Sequence, residues 1–530
     1  MGSILSGLPS VRDQRLTPHP RAVAEEAPDR PALIMADRGQ SISYRELVER
    51  SDRAANLFAS LGLVEGDTVA FLLENDIRYP ELIWAAKNSG IRYVCVSTHL
   101  NGLDAAYVVG DCGAKLLVTS WAMRGVAAEA LAGLSSCPAL LMIDGAEPPF
   151  VAYEAALERQ PSTPLSGRRR GPSMLYSSGT TGRPKGVKTL IPEAPPETPP
   201  QRYPMLLQQY GFGADTVLVN PGPFYHAAPN RFMVSVMRAG GTVIGFSAFD
   251  PAAVLAALGR FRVTHGFFVP TMFGRMLKLD EATRAAVDTS SLRHAIHAAA
   301  PCPVEVKRAM IRWWGPVIAE LYGGTEAFGH TFINSEEWLA HPGSVGRAAQ
   351  GCSIKIVDEA GHRLQLGQRG RIMMANGLRV EYHGDDAKTG ALYDDEGYAS
   401  LGDVGYLDGD GYLYLTDRES HMIIVGGVNI YPQEAEAVLE QHPAIADVAV
   451  IGVPDADMGE AVKAVVQLHS PGAGDAELAE DILAFCRARL SLHKCPRSVD
   501  FVASLPRNEV GKLVKRTLRA SYWNDAERMI

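Results

Sequence analysis

The sequence predicts an α/β protein: a large N-terminal domain of layered sheets and helices over residues 1–416, then a small α+β C-terminal domain over 417–530. Three observations predict it. Short apolar runs alternate with Ala/Leu-rich segments of helical spacing, the pattern of strands joined through helices into largely parallel sheets. After Gly370 the texture changes to short strands and turns, and from Ser420 onward a compact α+β pattern of about 110 residues is enough for a small domain. A length of 530 residues also exceeds what one core usually serves, since domains average roughly 150 residues.

The elements follow in order. Ser43-Tyr44-Arg45-Glu46 has capping-box spacing, and Leu47, Ala54, Leu57, Phe58 and Leu61 continue it at helical spacing until Gly62. Strands are expected in "DTVAFLLEN", "AKLLVTS", "PALLMID", "DTVLVN", "GTVIGF" and "VTHGFFVP". Residues 191–204, "IPEAPPETPPQRYP", hold six prolines, which excludes a helix or a central strand. They are read as a surface insertion, with a partner-binding polyproline segment as the alternative. "DVGYLDGDGYLYLTDR" predicts a hairpin around Asp408-Gly409-Asp410-Gly411, and a hinge is placed at 417–420. Beyond it, "HMIIVGG", "EAEAVLEQHPAIADVAVIGVP", "EAVKAVVQL" and "AELAEDILAFCRARL" supply the small domain. No fixed-period repeat is present.

Composition narrows the partners. Hydrophobic residues at 46% and charged residues at 21% describe a packed globular chain. A formal charge of −9 provides no basic field, so no nucleic-acid partner is expected and a polyanion must be held by a local site. Seven scattered cysteines without a CxxC pair suit a reducing compartment. No apolar run approaches the ~18 residues of a bilayer span, and no signal pattern opens the chain. A cytoplasmic protein with no integral membrane segment is expected, its oligomeric state open and a homodimer included.

Chemistry concentrates in a few segments. In "SMLYSSGTTGRPKGV", Gly179 and Gly182 allow close backbone approach, while Ser177, Ser178, Thr180 and Thr181 offer hydroxyls to phosphate oxygens. This is no Walker A loop, because Lys185 stands between Pro184 and Gly186 rather than between Gly and Ser or Thr. "ELYGGTEAFGH" sets Tyr322 before Gly323 and Gly324, then Thr325 and Glu326. An aromatic can stack on a base, a hydroxyl can meet a phosphate, and a carboxylate can hold Mg²⁺. Asp403 in "SLGDVGYLD" suits a ribose diol. Lys512 ends "LPRNEVGKLVKR" on a flexible Gly-Lys turn. His294 and His297 imitate a zinc pair but lack a third ligand at metal spacing, so a structural role is expected.

Taken together, "YSSGTTGRPKG", "YGGTE", "LGD", "DR...GGVNIYPQEAE" and "PR...GK" resemble, in order and spacing, the adenylate-forming superfamily of acyl-CoA synthetases, luciferases and peptide-synthetase adenylation domains. The resemblance runs from "SISYREL" to "GKLVKR" and points to the acid:CoA ligase branch. It implies ATP, Mg²⁺ and coenzyme A as cofactors and substrates. By resemblance, Ser177 to Lys185 form the phosphate loop, Ala299 and Ala300 line the base pocket, and Tyr322 stacks on adenine. Thr325 contacts the α-phosphate, Glu326 the metal, and Asp403 and Arg418 the ribose. Lys512 serves the first half-reaction. The mobile C-terminal domain then pivots at Ser420, and Gly426 and Gly427 border the pantetheine channel. The resemblance departs at the pivot, where Glu419, Ser420 and His421 replace the family's usual acidic or lysine hinge.

The same resemblance bears on the acid. Where amino-acid-selecting relatives carry an Asp after the aromatic of "PGPFYHAAPN", this chain has Tyr225 and His226, so a free amino acid is not expected. His226 is assigned as a gate residue. Small walls at Ala227, Ala298, Ala327 and Gly329, with Phe328, leave room for a long-chain, aryl or polycyclic acid. The acceptor stands as CoA, with a carrier-protein pantetheine as the alternative. A non-catalytic nucleotide-binding regulator and a luciferase-like oxygenase are the rival classes.

Overall fold

The computed structural model describes residues 19–523 other than 137, 178–183, 190–192, 201–202, 301, 419–422, 426–427, 431, 456–457, 491 and 509–512. The fold is mixed α/β, with a large N-terminal domain and a separate small C-terminal domain. By contacts the chain divides into two units, one of Met1–Phe267, Asp280–His294 and Glu381–Asp385, the other of Phe268–Leu279, Ala295–Val380 and Asp386–Ile530.

In the first unit all six expected strands form, as Thr68–Leu72, Ala114–Ser120, Ala139–Ile143, Val217–Asn220, Thr242–Gly245 and His265–Phe268. Thr68–Leu72 is central, with Arg92–Val96 and Ala114–Ser120 parallel on either side. Its five residues are all buried, as a strand covered on both faces requires, which explains why its sequence runs apolar without alternation. Ala70, Leu72, Val94, Leu117 and Met142 share one apolar cluster with helix Gly102–Asp111. The Ser43 capping box forms as read, opening helix Tyr44–Ser60 with both reciprocal bonds in place.

The proline-rich insertion is fastened rather than loose. Arg168 donates to Glu197 at 2.5 Å, Arg169 pairs with Glu193, and Arg170 bonds the carbonyls of Ala194 and Thr198, each at 2.9 Å. Buried Arg238 donates to the Pro196 carbonyl and lies over the rings of Trp84 and Tyr203. Helix Tyr203–Tyr210 begins inside the stretch from which a helix had been excluded. Pro204 is tolerated there because a first-turn residue needs no amide donor.

The second unit carries strands His294–His297 and Ile318–Gly323 in parallel, then His330–Ile333 antiparallel to the latter. Among the described residues it also holds a four-stranded antiparallel sheet of Ser353–Val357, Gly370–Ala375, Asp403–Leu407 and Leu413–Arg418. The predicted hairpin is its last pair. The change of texture therefore sets in at Ser353, earlier than Gly370, because the intervening turn residues conceal the first strand. From Ile423 onward, antiparallel strands Ile445–Asp455 and Gly459–Leu468 form the spine of the small domain, covered by helices Pro432–Leu439 and Ala476–Arg487. Among the described residues no helix is long and apolar enough to cross a membrane.

Candidate active site

In the first unit, strands Ser173–Ser177 and Lys185–Thr189 form the antiparallel stem of the expected phosphate loop, and their register ends on the pair Ser177 and Lys185. Gly186 lies opposite Tyr176, and a Cβ there would sit 3.2 Å from His383, Met174 and Tyr176, a tight fit that would need these neighbours to give by a few tenths of an ångström. Asp111, at the end of helix Gly102–Asp111, anchors both strands. Its carboxylate accepts from the Tyr176 hydroxyl at 2.5 Å, and its carbonyl accepts from His383 Nε2 at 2.7 Å. The His383 amide donates in turn to the Gly186 carbonyl at 2.8 Å. A carbonyl only accepts, so His383 carries its proton on Nε2. The Lys185 ammonium stands 5.1 Å from the centre of the Tyr382 ring.

The same unit sets the gate residue. Buried Asn75, just past strand Thr68–Leu72, accepts from the Phe224 amide at 2.7 Å and donates to the carbonyls of Gly222 and Phe246 at 3.0 and 2.8 Å. One amide thereby fixes the turn leading to His226. His226 caps helix Ala227–Arg238 with extended backbone (φ −78°, ψ 148°), and its ring packs 4.6 Å from that of Tyr225. Ala227 is the first helical residue, half-buried beside it.

In the second unit the structure brings together Tyr322 and Asp403, whose carboxylate accepts from the Tyr322 hydroxyl at 2.7 Å. Asp403 is buried and pairs in register with Arg418 on the neighbouring strand. Gly323 ends the strand, and Gly324, Thr325 and Glu326 make the turn after it. A Cβ on Gly324 would meet a Glu326 carboxylate oxygen at 2.8 Å and Leu401 at 2.5 Å, so a side chain here would displace the carboxylate that folds over the backbone. Phe328 is buried against Tyr393, and Gly329 packs on Met374.

Both alanine segments are strained. Ala299 has φ +76° and Ala327 φ +53°, in the left-handed region, which costs an L-residue roughly 1–2 kcal/mol. Such outliers cluster at functional sites. The Ala327 turn is held by its own amide bond to the Gly324 carbonyl and by Asn376, which donates to the Ala327 carbonyl at 2.5 Å. Ala298 is buried, whereas Ala299 is exposed and Ala300 half-exposed, as a wall facing a ligand would be.

Ser178, Gly179, Thr180, Thr181, Ser420, Gly426, Gly427 and Lys512 lie outside the described residues. Sequence reasoning missed Asn75, Asp111 and His383, each acting on a partner far along the chain. It also missed Lys307 and Glu320, although a charged residue within "VIAELY" was an available signal. His294 and His297 stand on one strand, and among the described residues no group of three or more His, Cys, Asp or Glu side chains has metal-binding geometry.

Comparison with known proteins places these segments in a family. The AMP-binding enzyme family matches residues 20–378, and the C-terminal domain of AMP-binding enzymes matches residues 434–512. A feruloyl-CoA synthase of Amycolatopsis is 32% identical over 97% of this chain and 98% of its own length. The fatty acid–[acyl-carrier-protein] ligase ScoC of Streptomyces coeruleorubidus is 28% identical, with 96% of each chain covered. ATP-bound MatB from Rhodopseudomonas palustris superposes with a TM-score of 0.82 at 29% identity, over 96% of this chain and all of the other.

Proposed function

Since this chain belongs to the AMP-binding enzymes, as an AMP-forming acyl-CoA synthetase of the acid:CoA ligase branch, we propose that its substrate is a hydrophobic carboxylic acid, long-chain, aryl or polycyclic. In the first step a carboxylate oxygen attacks the α-phosphorus of ATP, the bond to the bridging oxygen breaks, and pyrophosphate leaves. In the second the CoA sulfur attacks the acyl carbon, the bond to phosphate breaks, and AMP leaves while the thiol proton passes to solvent.

The observation that carries the nucleotide assignment is the Tyr322–Asp403 hydrogen bond, with Arg418 in register across the ladder. It gathers a stacking ring, an acceptor for a ribose hydroxyl and a cation-bearing position at one strand end. Ala299 and Ala300 complete the base side, Thr325 reaches the α-phosphate, and the loop from Ser177 to Lys185 holds the departing phosphates. A single carboxylate, Glu326, folded over Gly324, suits an ion that arrives with the nucleotide. Glu326 would hold Mg²⁺, which when bound neutralises charge on the phosphate oxygens. Two anions meet in this step, and Lys512 supplies the donor that stabilises the charge developing between them. Residues 417–530 move as a unit about Ser420, exchanging Lys512 for the Gly426–Gly427 turn and a pantetheine arm.

Three features support a hydrophobic acid. Position 226 is His where an ammonium would need Asp, the walls at Ala227, Ala298, Ala327 and Gly329 are small, and Phe328 is apolar. The relatives act on an aryl acid and on fatty acids. ScoC favours a second reading, in which the acceptor is a carrier-protein pantetheine.

The test is pyrophosphate release across fatty, aryl, polycyclic and amino acids, with and without CoA. Release with hydrophobic acids and thioester formation on CoA are expected. Turnover confined to amino acids or acetate would overturn the substrate class, and thioester found only on a carrier protein would move the acceptor. An enzyme inert with every acid would favour a nucleotide-binding regulator.

A further inference from the structure

The two strands that deliver the base-side segments also carry a set of buried charges that neither reaction step uses. His297, the last residue of strand His294–His297, stands in register opposite Glu320 of strand Ile318–Gly323. Helix Val304–Trp314, which follows the 298–303 segment, brings Lys307 back to the same point, and its ammonium donates to Glu320 at 2.6 Å. Lys307 and His297 are fully buried and Glu320 is 6% exposed. The Lys307 ammonium also faces the Trp338 ring at 4.8 Å, and the Phe273 ring meets His297 edge-on.

His297 Nε2 is 3.6 Å from the Glu320 carboxylate, beyond hydrogen-bond range, and among the described residues neither imidazole nitrogen has a hydrogen-bond partner. Burial drives its pKa well below the ordinary histidine value and Lys307 adds to the shift, so His297 is neutral. The charged set is thus one cation and one anion in an apolar shell. Replacing a buried ion pair by apolar side chains of similar volume often costs no stability, so such a pair is weak as a stability device. What it supplies is a fixed geometry.

That geometry closes on one segment. His297 and Lys307 flank residues 298–303, which contain the left-handed Ala299; the Lys307 ammonium is bonded to Glu320, and the strand register sets His297 opposite the same residue. Glu320 also precedes Tyr322 by two residues, which puts both side chains on one face of their strand. We propose that the Lys307–Glu320 ion pair, with His297 beside it, is a positioning device for the nucleotide base, holding Ala299 in its strained conformation against the Tyr322 side of the site. The proposal rests on the assignment of Ala299, Ala300 and Tyr322 to the base. Lys307, Glu320 and His297 touch no reactant and act through the segment they clamp.

The test combines equilibrium binding of ATP by calorimetry, pyrophosphate-release kinetics and thermal melting. Lys307→Met alone leaves a buried anion and endangers folding, so the informative variant is Lys307→Met with Glu320→Leu, which removes both charges. It should fold with a melting temperature near that of the native chain, bind ATP at least tenfold more weakly, and keep kcat at saturating ATP within threefold. Adding Ala299→Gly, which accepts a left-handed backbone without a clamp, should recover threefold or more of the lost affinity. Unchanged ATP affinity in the double variant, or a loss that Ala299→Gly does not recover, overturns the clamp. Tyr322→Ala separates the two levels. If it weakens ATP binding while the double variant does not, the clamp alone fails; if it leaves ATP binding intact, the base assignment fails and takes the clamp with it.

Discussion

The stem of the proposed phosphate loop, in the first unit, and the proposed base-side segments, in the second, are fixed in place by opposite means. The stem is a closed ladder up to Ser177 and Lys185, fixed by two hydrogen bonds to Asp111, and its fit depends on the missing side chain of Gly186. On the base side, strand His294–His297 ends just before Ala298 and Ala299, while strand Ile318–Gly323 keeps its antiparallel partner up to the Gly323–His330 pair. There the backbone is strained at Ala299 and Ala327, and a buried ion pair stands behind it. At the stem hydrogen-bonded pairing carries position; at Ala299, where the strand has ended, a strained backbone stands beside a buried ion pair.

The contrast can be broken first through stability. Glu320→Ala strands the Lys307 cation in the core and should cost about 3–5 kcal/mol in denaturant unfolding. A loss below 1 kcal/mol would mean that the charge relaxes into water and the base side is softer than drawn. Next in size, Lys512→Ala should slow acyl-AMP formation at least ~100-fold while sparing thioester formation from supplied acyl-AMP. Equal loss in both half-reactions would show that neither grip needs a separate donor for the first step. At the stem, Asp111→Ala removes one acceptor from Tyr176 and should cost only about 1–2 kcal/mol. A cost equal to that of Glu320→Ala would erase the distinction.

Smaller changes sharpen it. Ala299→Gly relieves a left-handed alanine but loosens the unfolded chain, so unfolding free energy should rise by at most about 1 kcal/mol. A fall would show that the side chain itself packs usefully. The smallest effect is acid sensitivity. The native state holds His297 neutral, whereas the unfolded chain takes up a proton near pH 6.5. Its contribution to stability is therefore full above that pH and declines as pH falls. His19 and His265, lowered by burial to about 3 and about 4, act in the same sense elsewhere. Glu320, raised by burial and facing His297 with Lys307, acts in the opposite one. His297→Met should consequently lose less stability than the native chain between pH 7 and pH 5 in denaturant titrations. Parallel curves would place the proton uptake at His19, His265 and His294, all lowered by burial.

The sequence made strands legible where burial is two-sided, as in Thr68–Leu72, and turns legible where glycine and aspartate repeat, as at 408–411. Tyr322 and Asp403 could be named because their residue types carry the chemistry, whereas the alanine segments could be named only through the family resemblance. Their supports could not. Asn75 bonds residues 147 and 171 positions away, and His383 reaches Asp111 across 272. No local pattern encodes such pairings, since a lone amide or imidazole reads alike whether it anchors a loop or faces water. Strand Ser353–Val357 stayed hidden for a related reason, because its partner Gly370–Ala375 comes after a run of turn residues.

The three consecutive arginines give the proline-rich insertion a meaning for anyone who would alter this enzyme. It has the composition of a disposable spacer, and its location after strand Lys185–Thr189 would invite a tag or a fusion joint. Yet Arg168, Arg169, Arg170 and Arg238 rivet residues 193–198 to the body of the first unit. Cutting in there would release four cations from their partners a few residues downstream of Lys185, so the safer graft points are exposed turns that hold no such rivets.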